Sequence, residues 1–154
     1  MLDFLKLKIP PVLQVIILSV AIYFTAQKTQ SYQLDKNLNL LISISVFVLG
    51  SLFAIIGVLN FRSANTTVDP RDPKKSDHLV KSGIYAYTRN PMYVGMFLWL
   101  VSVCSYFGSL YSLIYCVLFV LYMTHFQIKP EEEILKDIFG QEYIEYTKQV
   151  RRWI

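Results

Sequence analysis

Four apolar runs dominate the chain: about Pro11 to Gln27, Leu38 to Phe61, Met92 to about Phe107, and Leu110 to Ile128. A helix that crosses a bilayer takes about 20 residues, within a range of about 17–25. The second run is long enough to span with tilt, and the third is marginal unless Tyr87 to Pro91 extends it at the interface. Gly108-Ser109 is a turn signal, so the third and fourth runs form a tight helical hairpin with almost no loop. Lys6 and Lys8 ahead of the first run resemble the start of a signal peptide. No small-x-small cleavage site follows and the run is too long, so a retained anchor is expected.

The polar segments between these runs are short except for two. Arg62 to Pro91 is punctuated into turns by Asp69-Pro70, Asp72-Pro73, Gly83 and Asn90-Pro91. The tail opens with Pro130 at a first helical position, followed by Glu131, Glu132 and Glu133. Ile134, Leu135, Ile138 and Phe139 recur at helical spacing, and Gly140 breaks the run. Tyr143, Ile144, Tyr146, Thr147 and Val150 form a second set ending in Arg151-Arg152-Trp153, an end suited to a headgroup interface. The pattern predicts an all-α integral membrane protein. It has four transmembrane helices, a C-terminal cytosolic amphipathic helical segment, and one domain over 1–154.

Composition agrees. Hydrophobic residues make up 54% and charged residues 17%, with mean hydropathy +0.40, against about 25% charged in soluble domains. So short a chain cannot hide that much apolar surface in a water-soluble core. A soluble enzyme, a disordered protein and a nucleic-acid binder are thereby excluded. With four spans, thirteen basic residues fall on the side of the termini and second loop, and two on the other. The positive-inside rule then places both termini and the second loop in the cytoplasm. Cys104 and Cys116 sit in apolar runs without CxxC spacing, and read as buried thiols. His78 and His125 lack HxxxH or HExxH spacing, so no metal is expected.

Candidate chemistry gathers on the basic side. Leu79-Val80-Lys81-Ser82-Gly83-Ile84-Tyr85 and Arg89-Asn90-Pro91-Met92-Tyr93-Val94-Gly95 lead straight into the third helix. Gly83 permits a positive φ or a close approach, and Pro91 suits a helix start whose N–H groups attract anions. A loop that only punctuates an interfacial helix has the same composition. Glu131, Glu132 and Glu133 favour a helix dipole, but three adjacent acids repel one another. At least one therefore calls for a cationic partner, either Arg89 or a ligand ammonium or sulfonium. His78 is drawn in by its proximity to Leu79. Gly50, Gly57, Ser43, Ser45, Ser51 and Ala54 suit close helix packing.

These motifs, with Glu131-Glu132-x-x-Leu135 and Phe139-Gly140-x-x-Tyr143-x-x-Tyr146, resemble the isoprenylcysteine carboxyl methyltransferase and phospholipid methyltransferase superfamily, in a bacterial-type form. The resemblance runs from about Thr66 to Trp153. It implies a membrane methyltransferase that uses S-adenosylmethionine and takes a lipidic methyl acceptor from the bilayer. Carried onto this chain, the cofactor contacts would be His78, Leu79, Val80, Gly83, Tyr85, Asn90, Pro91, Met92, Tyr93, Glu131 and Glu132. Arg89, Asn90 and Glu132 would act at the reacting centre.

Two positions depart from the family pattern. Asn90 stands where His is common, and Gln127 to Pro130 holds no Arg ahead of the glutamate pair. The second departure argues against a prenylcysteine carboxylate as acceptor. Methyl transfer from a sulfonium needs alignment above all, and no general base stands out. The alternatives from other classes are a non-enzymatic membrane adaptor gripping anionic lipid, and a transport protein. The scarcity of ionisable residues inside the spans speaks against transport.

Overall fold

The computed structural model describes residues 6–29, 32, 34–63 and 78–154. Asp69-Pro70, Asp72-Pro73, Arg71, Lys74, Lys75 and the start of the family resemblance at Thr66 lie outside the described residues. The described residues form six α-helices: α1 (Pro11–Lys28), α2 (Lys36–Ser63), α3 (Pro91–Phe107), α4 (Leu113–Tyr122), α5 (Lys129–Phe139) and α6 (Gln141–Gln149). Among the described residues there is no strand. Among the described residues, three helical stretches are long and apolar enough to cross a membrane: Pro11–Lys28, Lys36–Arg62 and Leu110–Phe139. The 17-residue α3 is apolar but shorter, reaching roughly 26 Å at about 1.5 Å per residue. The chain is an integral membrane protein.

α2 presents Leu41, Ile44, Phe47, Leu52, Ile55 and Leu59 outward, all exposed. Water would penalise that face, whereas lipid tails match it. Its inner face packs on α3 through small residues. A Cβ on Gly50 would lie 2.7 Å from the Gly95 carbonyl, and one on Gly95 2.5 Å from the Gly50 carbonyl. The two backbones therefore touch, as small residues allow between helices in lipid. Polar side chains reinforce the seam: Ser102 Oγ donates to the Ser43 carbonyl at 2.9 Å, and Trp99 Nε1 to Ser51 Oγ at 3.1 Å. Ser45 is exposed and bonds its own helix.

α1 closes the other side against α3 and α4. Ile22, Leu100, Cys104, Cys116, Phe119 and Met123 form the shared core. The two cysteines are free thiols 3.8 Å apart. Thr25 meets the Tyr115 hydroxyl at 2.7 Å, and Thr29 meets Ser109 at 3.0 Å. Gly108, in the left-handed region at φ 65°, reverses the chain between α3 and α4.

The fourth run departs from expectation. Pro130 does not begin a separate helix, because helical backbone runs on from α4 through a π-helical segment, Met123–Ile128, into α5. Proline has no N–H for the carbonyl four residues back, here Phe126. The wider π turn accommodates the ring. The carbonyl thus released accepts from the Leu7 N–H at 3.1 Å, which pins the N-terminal segment beneath the bundle. Gly140, at φ 53°, then separates α5 from α6.

Candidate functional site

The stretch before α3 is shaped by its contact with α2. Gly83 has φ +62°, and a Cβ there would sit 2.1 Å from Asn60 Nδ2. Only glycine fits both the conformation and the space. Asn60 donates to the Ser82 carbonyl at 3.3 Å. Gly83–Ala86 then forms a single 3-10 turn that buries Tyr85. Its ring meets Phe61 edge-on at 5.0 Å, and its carbonyl accepts from the Tyr146 hydroxyl at 2.7 Å. Thus α6 clamps the turn from below. Asn90 precedes a proline, which disfavours helical backbone, so α3 starts at Pro91.

α5 brings two carboxylates to this turn in different environments. Glu131 is buried. Its Oε1 accepts from the Tyr93 hydroxyl at 2.7 Å and from Gln127 Nε2 at 2.6 Å. Among the described residues no cation pairs with it. Glu132 is instead a hub for arginines. Arg152 grips it with Nε at 2.9 Å and a terminal nitrogen at 2.7 Å, and Arg89 reaches it at 3.0 Å. The acidic run called for at least one cationic partner, either Arg89 or a ligand cation, and the structure supplies the first of these. Glu132 takes Arg89, and Glu131 is left facing a cavity.

Arg152 belongs to a strap, residues 150–154, that folds back over the loop. The Asn90 side-chain amide donates to the Arg152 carbonyl at 2.8 Å, and the Arg89 N–H to the Arg151 carbonyl at 3.0 Å. Trp153 Nε1 donates to Thr124 at 3.1 Å. The Arg-Trp end thus packs onto the site. At the outer edge, Lys81 pairs with Glu142 at 2.6 Å.

A narrow cleft lies between loop, α5 and α6. It brings together eight of the expected residues: His78, Leu79, Val80, Tyr85, Arg89, Asn90, Glu131 and Glu132. Gly83, Pro91, Met92 and Tyr93 do not line it. Gly83 packs on Asn60, and a Cβ on Gly57 would meet Met92 at 3.0 Å and Pro91 at 3.2 Å, so those two face α2. Tyr93 acts from behind, through Glu131. The sequence reading placed none of Phe61, Gln127, Tyr143, Tyr146 and Arg152 at the site: the two tyrosines entered through the helical spacing and the resemblance motif, and Arg152 as part of an end suited to a headgroup interface. Gln127 stands one helical turn before Glu131, a spacing that permits a side-chain bond. Arg152 had no local signal.

Among the described residues, two buried polar atoms at the cleft have no partner: Tyr85 Oη and Arg89 Nε. Burial raises the phenols of Tyr85, Tyr143 and Tyr146 above their ordinary range, so they are neutral donors rather than bases. The hydrogen bond to Glu132 raises the Arg152 guanidinium further.

Residues 38–142 match the family model described as phospholipid methyltransferase. The chain belongs to this family. The match runs from the start of α2 into α6, and the strap lies beyond it. Among related proteins, protein-S-isoprenylcysteine O-methyltransferase of Saccharomyces cerevisiae is 34% identical over 113 residues, covering 67% of this chain and 46% of its own. The Schizosaccharomyces pombe protein of the same name is 40% identical over 81 residues, covering 50% of this chain and 33% of its own. An uncharacterized protein of Haemophilus influenzae is 35% identical over 63 residues, its whole length and 41% of this chain. The phospholipid methyltransferase family member described here thus spans less than half the length of the two yeast proteins. No solved structure matches it.

Proposed function

We propose that the chain is an integral-membrane methyltransferase that binds S-adenosylmethionine in the cleft and acts on a lipidic acceptor delivered from the bilayer. The observation that carries this reading is Glu131: a buried carboxyl at the cleft, held by two neutral donors, with no cation paired to it among the described residues. A buried carboxylate calls for a cationic partner, and the amino acid moiety of the cofactor brings an ammonium. Its carboxylate would meet the unpartnered Nε of Arg89, and its ribose or adenine the unpartnered hydroxyl of Tyr85. The residues present therefore fit the group. Leu79, Val80 and Phe139 line the cleft with apolar surface, and His78 and Asn90 stand at its edge.

When bound, S-adenosylmethionine supplies an electrophilic methyl carbon on a sulfonium. The chain's own contribution is position and dryness. Tyr93 and Gln127 fix Glu131, the Glu132 hub fixes Arg89, and Tyr146 fixes the turn that carries Tyr85. Alignment of this kind is the larger part of what a displacement at carbon requires. The neutral phenols cannot take a proton from the acceptor, so the reading favours a thiolate or carboxylate over a phospholipid amine. The cleft lies among the basic residues of loop and tail, which orients it, with both termini, toward the cytoplasm.

Calorimetric titration of S-adenosylhomocysteine into the detergent-purified chain tests this. Saturable binding is expected, weakened about tenfold or more by Glu131→Gln and by less in Tyr93→Phe. Folded protein that takes up no cofactor in detergent or in lipid nanodiscs would overturn the proposal.

A further inference from the structure

A second recess lies on the opposite side of the π-helical segment and shares no lining residue with the cleft. It is a groove between α1 and α4. Ile17, Leu18, Leu118 and Leu121 line its inner end, and Gln14 and Tyr122 the end nearer the N-terminal segment. α1 and α4 run antiparallel here. Thr25 and Tyr115 tie them at the far end, and the Leu7 N–H and Phe126 carbonyl at the near end. The groove is thus framed between two fixed points.

Its apolar walls carry an anomaly. Gln14 is 6% exposed, and among the described residues its Nε2 has no hydrogen-bond partner; the buried Tyr122 hydroxyl has none either. Two orphan donors in a membrane-facing groove are costly unless a ligand brings acceptors. Lys8, exposed, adjoins Ile9 of the groove's lining. Read from mouth to inner end, the groove offers positive charge, then two donors, then aliphatic surface. That is the order of phosphate, ester carbonyls and acyl chain in an anionic lipid whose headgroup lies at the same interface.

We infer that the α1/α4 groove is a binding site for an anionic diacyl phospholipid, separate from the methyltransferase cleft. The lipid's ester oxygens accept from Gln14 and Tyr122, and its phosphate lies against Lys8 of the N-terminal segment.

Native mass spectrometry of the full chain in detergent, titrated with dioleoyl phosphatidylglycerol or dioleoyl phosphatidylcholine, tests this. One phosphatidylglycerol should be retained, about fivefold or more tighter than phosphatidylcholine. Gln14→Leu with Tyr122→Phe should weaken retention of both lipids about fivefold. Lys8→Gln should reduce the preference between them. Leu121→Trp, at an outward position that leaves the core intact, should fill the groove and abolish retention. Circular dichroism melting confirms that each variant is folded, whatever the cleft binds. Equal retention of the two lipids, or retention unchanged in Leu121→Trp, would overturn the inference. So would loss of a second protein copy, rather than of lipid, in that variant.

Discussion

The ion-pair hub at Glu132 ties the strap to the site, and its strength can be worked from geometry. Arg152 makes two charge-assisted bonds to Glu132, at 2.9 and 2.7 Å, and Arg89 one at 3.0 Å. The side chains are 17% exposed for Glu132, 11% for Arg89 and 32% for Arg152. An exposed pair contributes about 0–1 kcal/mol, whereas breaking a fully buried one costs about 3–5. The hub lies between these limits, nearer the buried one on the Arg89 side. Glu132→Gln leaves both guanidiniums without a counter-charge and should cost about 2–3 kcal/mol. Arg152→Met leaves Glu132 still held by Arg89, and should cost about 1–2 kcal/mol. The double variant should cost about 1 kcal/mol less than the sum, because both single changes break the same bonds. At about 2–4 °C per kcal/mol, Glu132→Gln should lower Tm by roughly 4–12 °C. Thermal melts of the full chain in detergent, with the two single variants and the double, measure all three terms. Costs that add within about 0.5 kcal/mol, or a Glu132→Gln loss below that figure, would refute the hub.

Two further outcomes follow from the packing and the phenols. Gly95→Ala places a Cβ 2.5 Å from the Gly50 carbonyl and 3.0 Å from the Ala54 nitrogen. Neither backbone can give way, so about 1–3 kcal/mol should be lost on thermal melting. Gly140→Ala meets nothing within 4 Å, and its cost is the backbone strain of φ 53°, ψ −123°, a conformation that favours glycine, about 1–3 kcal/mol. Alkaline titration followed by tyrosinate absorbance should show a set of phenols that do not ionise in the folded chain. Tyr85, Tyr143 and Tyr146 have raised folded values. Their stabilising contribution is therefore full below the unfolded phenol value, and falls as pH rises from about 10 upward. A melt that is flat over that range would contradict their burial.

Much of this was legible in the chain because it depends on local chemistry. Length and unbroken apolarity determined the long helices, since a bilayer fixes how many residues must be apolar. Gly108 and Gly140 marked their own turns, because a positive φ is a single-residue property. The loop motif and the acidic run were also visible, and the cleft joins them. Residue type told that one of the glutamates needed a cation, but not which.

Tertiary contact decided the rest. Glu131 and Glu132 are adjacent in sequence and alike in chemistry, yet a helix turns them in different directions. One meets Tyr93 and Gln127, and the other meets Arg89 and Arg152. Gly83, Pro91 and Met92 read as ligand contacts but face α2, because α2 lies close against that side of the loop. Pro130 marks a helix start in sequence. It lies within continuous helix here because a π turn precedes it and Leu7, more than a hundred residues away, takes up the released carbonyl. The sequence by itself determined what this chain is made to sit in, because hydropathy is additive along the chain. Which side chains meet across the fold was set only by packing, because such pairings depend on elements that sequence proximity does not connect.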